Sequence, residues 1–373
     1  MLKVNEQLQA ANVGHQIDLQ QFSASVVKRV IKLLNKTDAD LVAKLRAALD
    51  RYPPSTTFNI ERLDAVLASV RTMNAQAYAA VNLALTEELR GLTQYEGNRQ
   101  LELFTNTIPP EVGLAYTRIP VNEVYAAAMA RPFQGRLLSE WVAELEVDRA
   151  ARVRDAVRVG FVEGETLDQI VTRIRGTRAN RYEDGLLQID RRSAEAVART
   201  AVAHIAGAAR DQFYSNNLDI IKTVVWSSTL DTRTSEGCRI RDNKHYHPVT
   251  HRPMGHSVPW SGGPGRLHWR CRSSSYPVTK SWRELGIDMA DMDDGTRASM
   301  DGQVPADLNY GAWLRGQAPA RQDEVVGPTR GKLMRAGQLS FDSMYTNRGE
   351  ALTLPQLYER HADAFRRAGI TVP

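Results

Sequence analysis

The sequence predicts a mostly α-helical protein: a helical N-terminal body, a small α+β domain around residues 190–280, and an irregular C-terminal extension. Three observations carry that prediction. Apolar residues recur at helical spacing up to Phe213. A β-rich run, Ile220 to Trp226, then breaks that period and reads as a strand. After Pro277, Gly and Pro return at short intervals, which marks a loop-rich tail draped on the body. The corresponding divisions are 1–118, 119–285 and 286–373.

Residues 1–18 read as a polar lead-in. Phe22, Val26, Val30, Leu33 and Leu34 form the first helix, and Asn35 reads as its stop. Thr37, with Asp40 three residues on, resembles a capping box for a second helix carrying Leu41, Leu45 and Leu49. Pro53-Pro54 breaks it. A long amphipathic helix follows from Ile60 through Leu63, Leu67, Val70, Ala77, Val81 and Leu85 to Leu89, Ala-rich and suited to close packing. Pro109-Pro110 and Pro120 mark the next break. Helix resumes at Val121, is interrupted at Pro132 and Gly135, and continues with Trp141, Leu145, Val153, Val157 and Phe161 to Gly164. Thr166 and Gln169 form a capping box for a short helix burying Leu167, Ile170, Val171 and Ile174, closed by Gly176. Arg173 and Arg175 at its end supply too little basic surface for a DNA-reading helix. Asp190 opens the most regular helix, with Ala194, Val197, Ala201, Ile205, Ala208 and Phe213 on one face and His204 beside them.

Composition narrows the function classes. The chain has 373 residues, 42% hydrophobic and 24% charged, long enough for two or three domains and too apolar to be disordered. A net charge of +5 permits contact with nucleic acid or an acidic surface without demanding either. No apolar run reaches the ~18 residues of a membrane span, and the N-terminus lacks a signal-peptide core. A cytoplasmic origin follows, where a structural disulfide between the two cysteines is not expected.

The chemistry gathers between Trp226 and Pro277. This stretch holds both cysteines, Cys238 and Cys271, and five histidines: His245, His247, His251, His256 and His268. His268-x-x-Cys271, Cys238 and a fourth ligand such as His245 are a candidate zinc set, looser than paired Cys-x-x-Cys motifs. No cofactor is required, and zinc is the one candidate. His245, Asp242 and Asn243 supply the residue types of an HNH nuclease, but prolines 248, 253 and 259 stand where its helix should follow. Gly262-Gly263-Pro264-Gly265 lacks the Lys-Ser/Thr of a phosphate loop. Counted from Asp288 or Asp291, the acidic run fits no calcium loop. A structural account also exists: Asp231 and Arg233 after the strand could pair to fix a turn, with Thr232 and Thr234 bonding its amides.

Trp226-x-x-Thr229-x-Asp231-x-Arg233-Thr234-x-x-x-Cys238, followed by His268-x-x-Cys271-Arg272 and Pro277, resembles the phage Mu F-like minor head protein family. Ala198-Arg199-Thr200 resembles an upstream family segment, with Ala201 in place of the usual Glu and Trp269 in place of a Pro. The tail from Tyr310 through Trp313-Leu314 to Leu333 is similar to the C-terminal extension of phage members. The resemblance implies a non-enzymatic minor capsid protein of phage head morphogenesis. Its expected partners are the portal protein, capsid or scaffold proteins and packaged DNA, with no membrane. Its expected place is the head interior or portal vertex, after assembly in the host cytoplasm. Trp226, Asp231, Arg233, Thr234 and Arg272 are then a structural motif with no catalytic residue. The competing expectation is a metal-dependent nuclease or toxin-like enzyme domain carried by a phage particle.

Overall fold

The computed structural model describes residues 4–49, 60–108, 115–281, 283–285, 296–300, 302–305 and 307–371. The expected breaks at Pro53-Pro54 and Pro109-Pro110, and the acidic run from Asp288 to Gly295, lie outside the described residues. The chain is mostly helical, with a small antiparallel sheet. It divides into one unit of residues 1–20, 93–124 and 206–373 and another of residues 21–92 and 125–205.

The N-terminal helix differs from expectation. α1 (Val4–Leu49) is one helix of 46 residues, with no stop at Asn35. A single Asn costs a helix only a fraction of a kcal/mol, roughly 0.7 at most, and distant contacts outweigh it. Thr37 does not cap; its hydroxyl donates to the Leu33 carbonyl one turn back. Asp38, next to it, is buried and accepts from both Arg149 and Arg191.

In the unit of residues 21–92 and 125–205, α2 (Ile60–Thr107), α3 (Val121–Met129), α4 (Leu138–Val162), α5 (Leu167–Arg175) and α6 (Leu186–Asn216) contribute all or part of their length. Its core joins Leu41, Leu45, Leu67, Val70, Val153, Val157, Ile170, Val171, Ile174 and Leu187. α5 has the expected capping box, with Thr166 accepting from the Gln169 amide and Gln169 accepting from the Thr166 amide. Arg173 donates to Glu163 and Glu165, and Arg175 lies over the Tyr182 ring at 4.5 Å, so both arginines serve local packing. His204 Nε2 donates to the Ala128 carbonyl at 2.9 Å. Since a carbonyl only accepts, Nε2 carries the proton there.

The other unit is built on a four-stranded sheet of order β3-β2-β1-β4, antiparallel throughout. Its strands are β1 (Ile221–Ser227), β2 (His245–Tyr246), β3 (Pro253–Met254) and β4 (Ser274–Thr279). β1 is central and buried except at Lys222. β4 forms an edge, which accommodates Pro277 opposite Val224. The presumed lead-in is part of this unit. Asn5, Gln9, Asn12 and Gln16 follow helical spacing on α1 and bond Thr279, Tyr276, Ser274 and Ser227 respectively.

Trp313, Leu314, Val325, Val326, Leu333 and Leu354, which suggest short helices in the tail, all lie in such helices. A hairpin of β5 (Thr296–Ser299) and β6 (Gly302–Pro305) precedes α8 (Tyr310–Arg315), α9 (Pro319–Val326), α10 (Pro328–Arg335) and α11 (Leu354–Ala368). α9 and α10 each begin on a proline, whose missing N–H costs nothing at a first helical position. Their apolar side chains share one core with Leu230, Ile240 and Val258 of the central stretch.

Candidate metal centre and polar clasp

Trp226, the last residue but one of β1, is fully buried, edge-on to Trp260 with ring centroids 5.4 Å apart. Its indole N–H donates to Ser228 Oγ at 3.1 Å, and Ser228 Oγ donates to the Cys238 carbonyl at 2.9 Å. The Ser228 amide donates to Asp242 at 2.8 Å. These bonds tie the end of β1 to α7 (Glu236–Arg239), the single turn that carries Cys238.

The turn after β1 closes around Asp231. Arg272, just before β4, grips it bidentately: one guanidinium nitrogen donates to Oδ2 at 2.6 Å, the other to Oδ1 at 2.8 Å. Thr234 Oγ1 lies 3.0 Å from Oδ1 and 2.5 Å from the Thr229 carbonyl, and the Arg233 amide donates to Oδ1 at 3.1 Å. Tyr310 donates its hydroxyl to the Asp231 carbonyl at 2.7 Å, which fastens α8 to the turn. Burial pushes the Asp231 carboxyl up, but Arg272, Thr234 and Arg233 together hold it below the usual carboxylate range. The expected Asp231–Arg233 side-chain pair forms, but as a loose, exposed contact; the close guanidinium partner of Asp231 is Arg272. Arg233 is 82% exposed and only 3.9 Å from the carboxylate, because a residue two positions along the turn points outward. Arg272 arrives from the segment just before β4 and faces Asp231 squarely.

Cys238, His268 and Cys271 converge, with their ligand atoms all within 4.8 Å of one another. The two sulfurs are 3.5 Å apart, and Cys238 Sγ is 3.4 Å from His268 Nε2. The three-residue spacing works because His268–Cys271 is a tight turn: the Cys271 amide donates to the His268 carbonyl at 3.2 Å, with Arg270 at φ +57°. His268 Nδ1 lies 2.9 Å from the Trp269 carbonyl, an acceptor only, so Nδ1 holds the proton. In the neutral ring Nε2 then presents a lone pair toward the sulfurs and Ser235 Oγ, the latter 2.7 Å away. The Cys238 hydrogen bond lowers the Cys271 thiol well below its ordinary range; burial opposes this and His268 adds to it. Cys238 is raised, chiefly by the same bond and by burial. His268 is raised by its bond to Cys271, against burial.

His245 does not join this group. It lies on β2, opposite Val225, with Nδ1 2.9 Å from Thr223 Oγ1. The other loop histidines organise backbone and rings. His247 Nδ1 accepts from the amides of Val249 and Thr250, each at 3.2 Å. His256 Nε2 donates to the His245 carbonyl and Nδ1 accepts from Val258. His251 stacks on Trp260 at 4.7 Å and 5°. Asp242 accepts from the Ser228 amide, Asn243 donates to the Asp307 carbonyl at 3.0 Å and His245 bonds Thr223, so each member of the nuclease-type trio has a structural bond of its own.

Two arginines beyond the sequence reading hold the Pro-Gly loop. Arg241 donates to the carbonyls of Pro259 and Gly237 and to Ser261. Arg266 donates to Asp211 at 2.6 Å. Gly263, at φ +92°, passes where a Cβ would lie 2.4 Å from Arg266. No spacing in the sequence signals these partners.

Residues 151–275 match the family model described as Phage Mu protein F like protein. No curated protein and no solved structure matches the chain.

Proposed function

We propose that this Mu F-like chain is a minor capsid protein acting in phage head morphogenesis, associated with the portal and the procapsid interior. The family match carries the reading, because it spans the segment from α4 to the start of β4 and so includes Asp231, Cys238, His268 and Arg272. Supporting it, the polar residues of that segment are used to hold one another: Asp231 by Arg272, Asp242 by Ser228, the loop by Arg241. Among the described residues, no helix is long and apolar enough to cross a membrane. The functional domain on this reading is residues 119–285. Its partners are the portal and capsid or scaffold proteins, and the mild positive charge suits a place near packaged DNA.

The test is mass spectrometry of full and emptied virions, with pull-down by the portal protein of the same phage. Presence in the particle and capture by the portal are expected. Absence from particles, together with divalent-cation-dependent DNA cleavage that His245→Ala or His268→Ala abolishes, overturns the reading in favour of an enzyme.

A further inference from the structure

Two buried thiols and an imidazole rarely meet without a reason. Cys238 and Cys271 are 1% and 4% exposed, come from elements 33 residues apart, and approach to 3.5 Å without a bond. A purely apolar contact would not recruit the polar edge of His268 to the same point. Nor would it need the Nδ1–H to Trp269 carbonyl bond, which leaves Nε2 as a lone-pair donor aimed at the sulfurs. Metal-binding histidines are characteristically oriented by such a bond on the opposite nitrogen. The set contains no carboxylate; two sulfurs and one imidazole are a soft donor set that selects zinc over magnesium or calcium.

We propose that Cys238, His268 and Cys271 bind one Zn2+, which cross-links α7 to the His268–Cys271 turn. The fourth position falls to water or to Ser235 Oγ, already 2.7 Å from His268 Nε2. Binding converts both thiols to thiolates and releases their protons to solvent, leaving two sulfur–zinc bonds and one nitrogen–zinc bond. The metal also locks the Asp231–Arg272 clasp, since Arg272 follows Cys271 directly. Zinc here is a structural staple between the two segments. This inference stands independently of the head-assembly reading.

The full chain, expressed with added zinc and purified without chelator, is analysed by elemental mass spectrometry and thiol titration. About one zinc per chain is expected. His268→Ala and Cys271→Ala should cut the content roughly tenfold, in line with loss of one of three protein ligands. His245→Ala should leave it unchanged, because that residue bonds Thr223. Stripping zinc from the unsubstituted chain should lower its melting temperature, and zinc alone should restore it. Cobalt substitution should give the absorption of a tetrahedral thiolate site, a readout that does not depend on any variant folding. Less than a tenth of a zinc per chain overturns the proposal. So do two thiols that react only after reduction, which would mean a disulfide, and zinc retained by His268→Ala and Cys271→Ala alike.

Discussion

Each unit of the molecule is held by a carboxylate–guanidinium centre, and the two centres are built on opposite principles. Asp231 and Arg272 form a bidentate pair near the surface, with side-chain exposures of 11% and 25%. Asp38, Arg149 and Arg191, with Arg152 on Asp190, form a buried network in which Arg149 is 1% exposed. The first centre wins its charge: its hydrogen bonds overcome burial and Asp231 is held low. The second contains a carboxyl that loses: burial raises Asp190 to about 6, even though Arg152 and Arg149 oppose it. Geometry decides this difference. Two parallel bonds from one guanidinium, with Thr234 beside them, outweigh the burial of the Asp231 carboxylate, whereas a buried network must recover the hydration of every member.

The sharpest way to break the comparison is to remove one buried partner. Arg149→Ala leaves Asp38 with Arg191 alone and should destabilise the chain by about 3–5 kcal/mol in chemical denaturation. Arg272→Ala should cost less, about 1–3 kcal/mol, because water can reach the released carboxylate. The pH dependence should then separate the units, read by hydrogen exchange in each. Asp190 keeps its proton longer when folded, so its unit loses stability as pH rises from about 4 to 6. Asp190→Asn should flatten that slope. Asp231 is depressed, so its contribution is present above the unfolded carboxylate value of about 4 and disappears as pH falls through its folded value. Asp231→Asn should remove that acid-side loss. Least of all, Arg233→Ala should change stability by under about 0.5 kcal/mol, since its side chain is exposed and meets Asp231 at 3.9 Å, while its backbone amide bond to Asp231 is kept.

How far the sequence could be read depended on how far apart the partners are. The Thr166–Gln169 box, the Ala194–Phe213 face and the His268–Cys271 turn are local, and each is visible as a spacing. β1 was legible because a β-branched run interrupts a helical period. The continuity of α1 was not, since Asp38 answers to Arg149 and Arg191, more than a hundred positions away. The stripe Asn5, Gln9, Asn12 and Gln16 was overlooked for a related reason. It has helical spacing but no apolar residue, and its partners lie in and beside β1 and β4. At the candidate centre, three of the proposed ligands were readable from residue type, but His245 was not separable from them. Only the fold reveals that its Nδ1 faces Thr223. The docking of the tail was hidden too, because Leu230, Ile240 and Val258 look like isolated loop residues until α8 to α11 cover them.

The edge strand β4 has a meaning for crowding. Lys280 sends its N–H inward to Ile220, so alternation turns the backbone of Ser275, Pro277 and Thr279 outward. Each outward position is blunted. The Ser275 carbonyl accepts from Tyr214, Pro277 has no N–H to offer, and the Thr279 N–H is taken by Asn5. An edge finished in this way offers little template for another copy's strand. Where many chains are concentrated in a small volume, polymerisation through the β4 edge is discouraged from the outset.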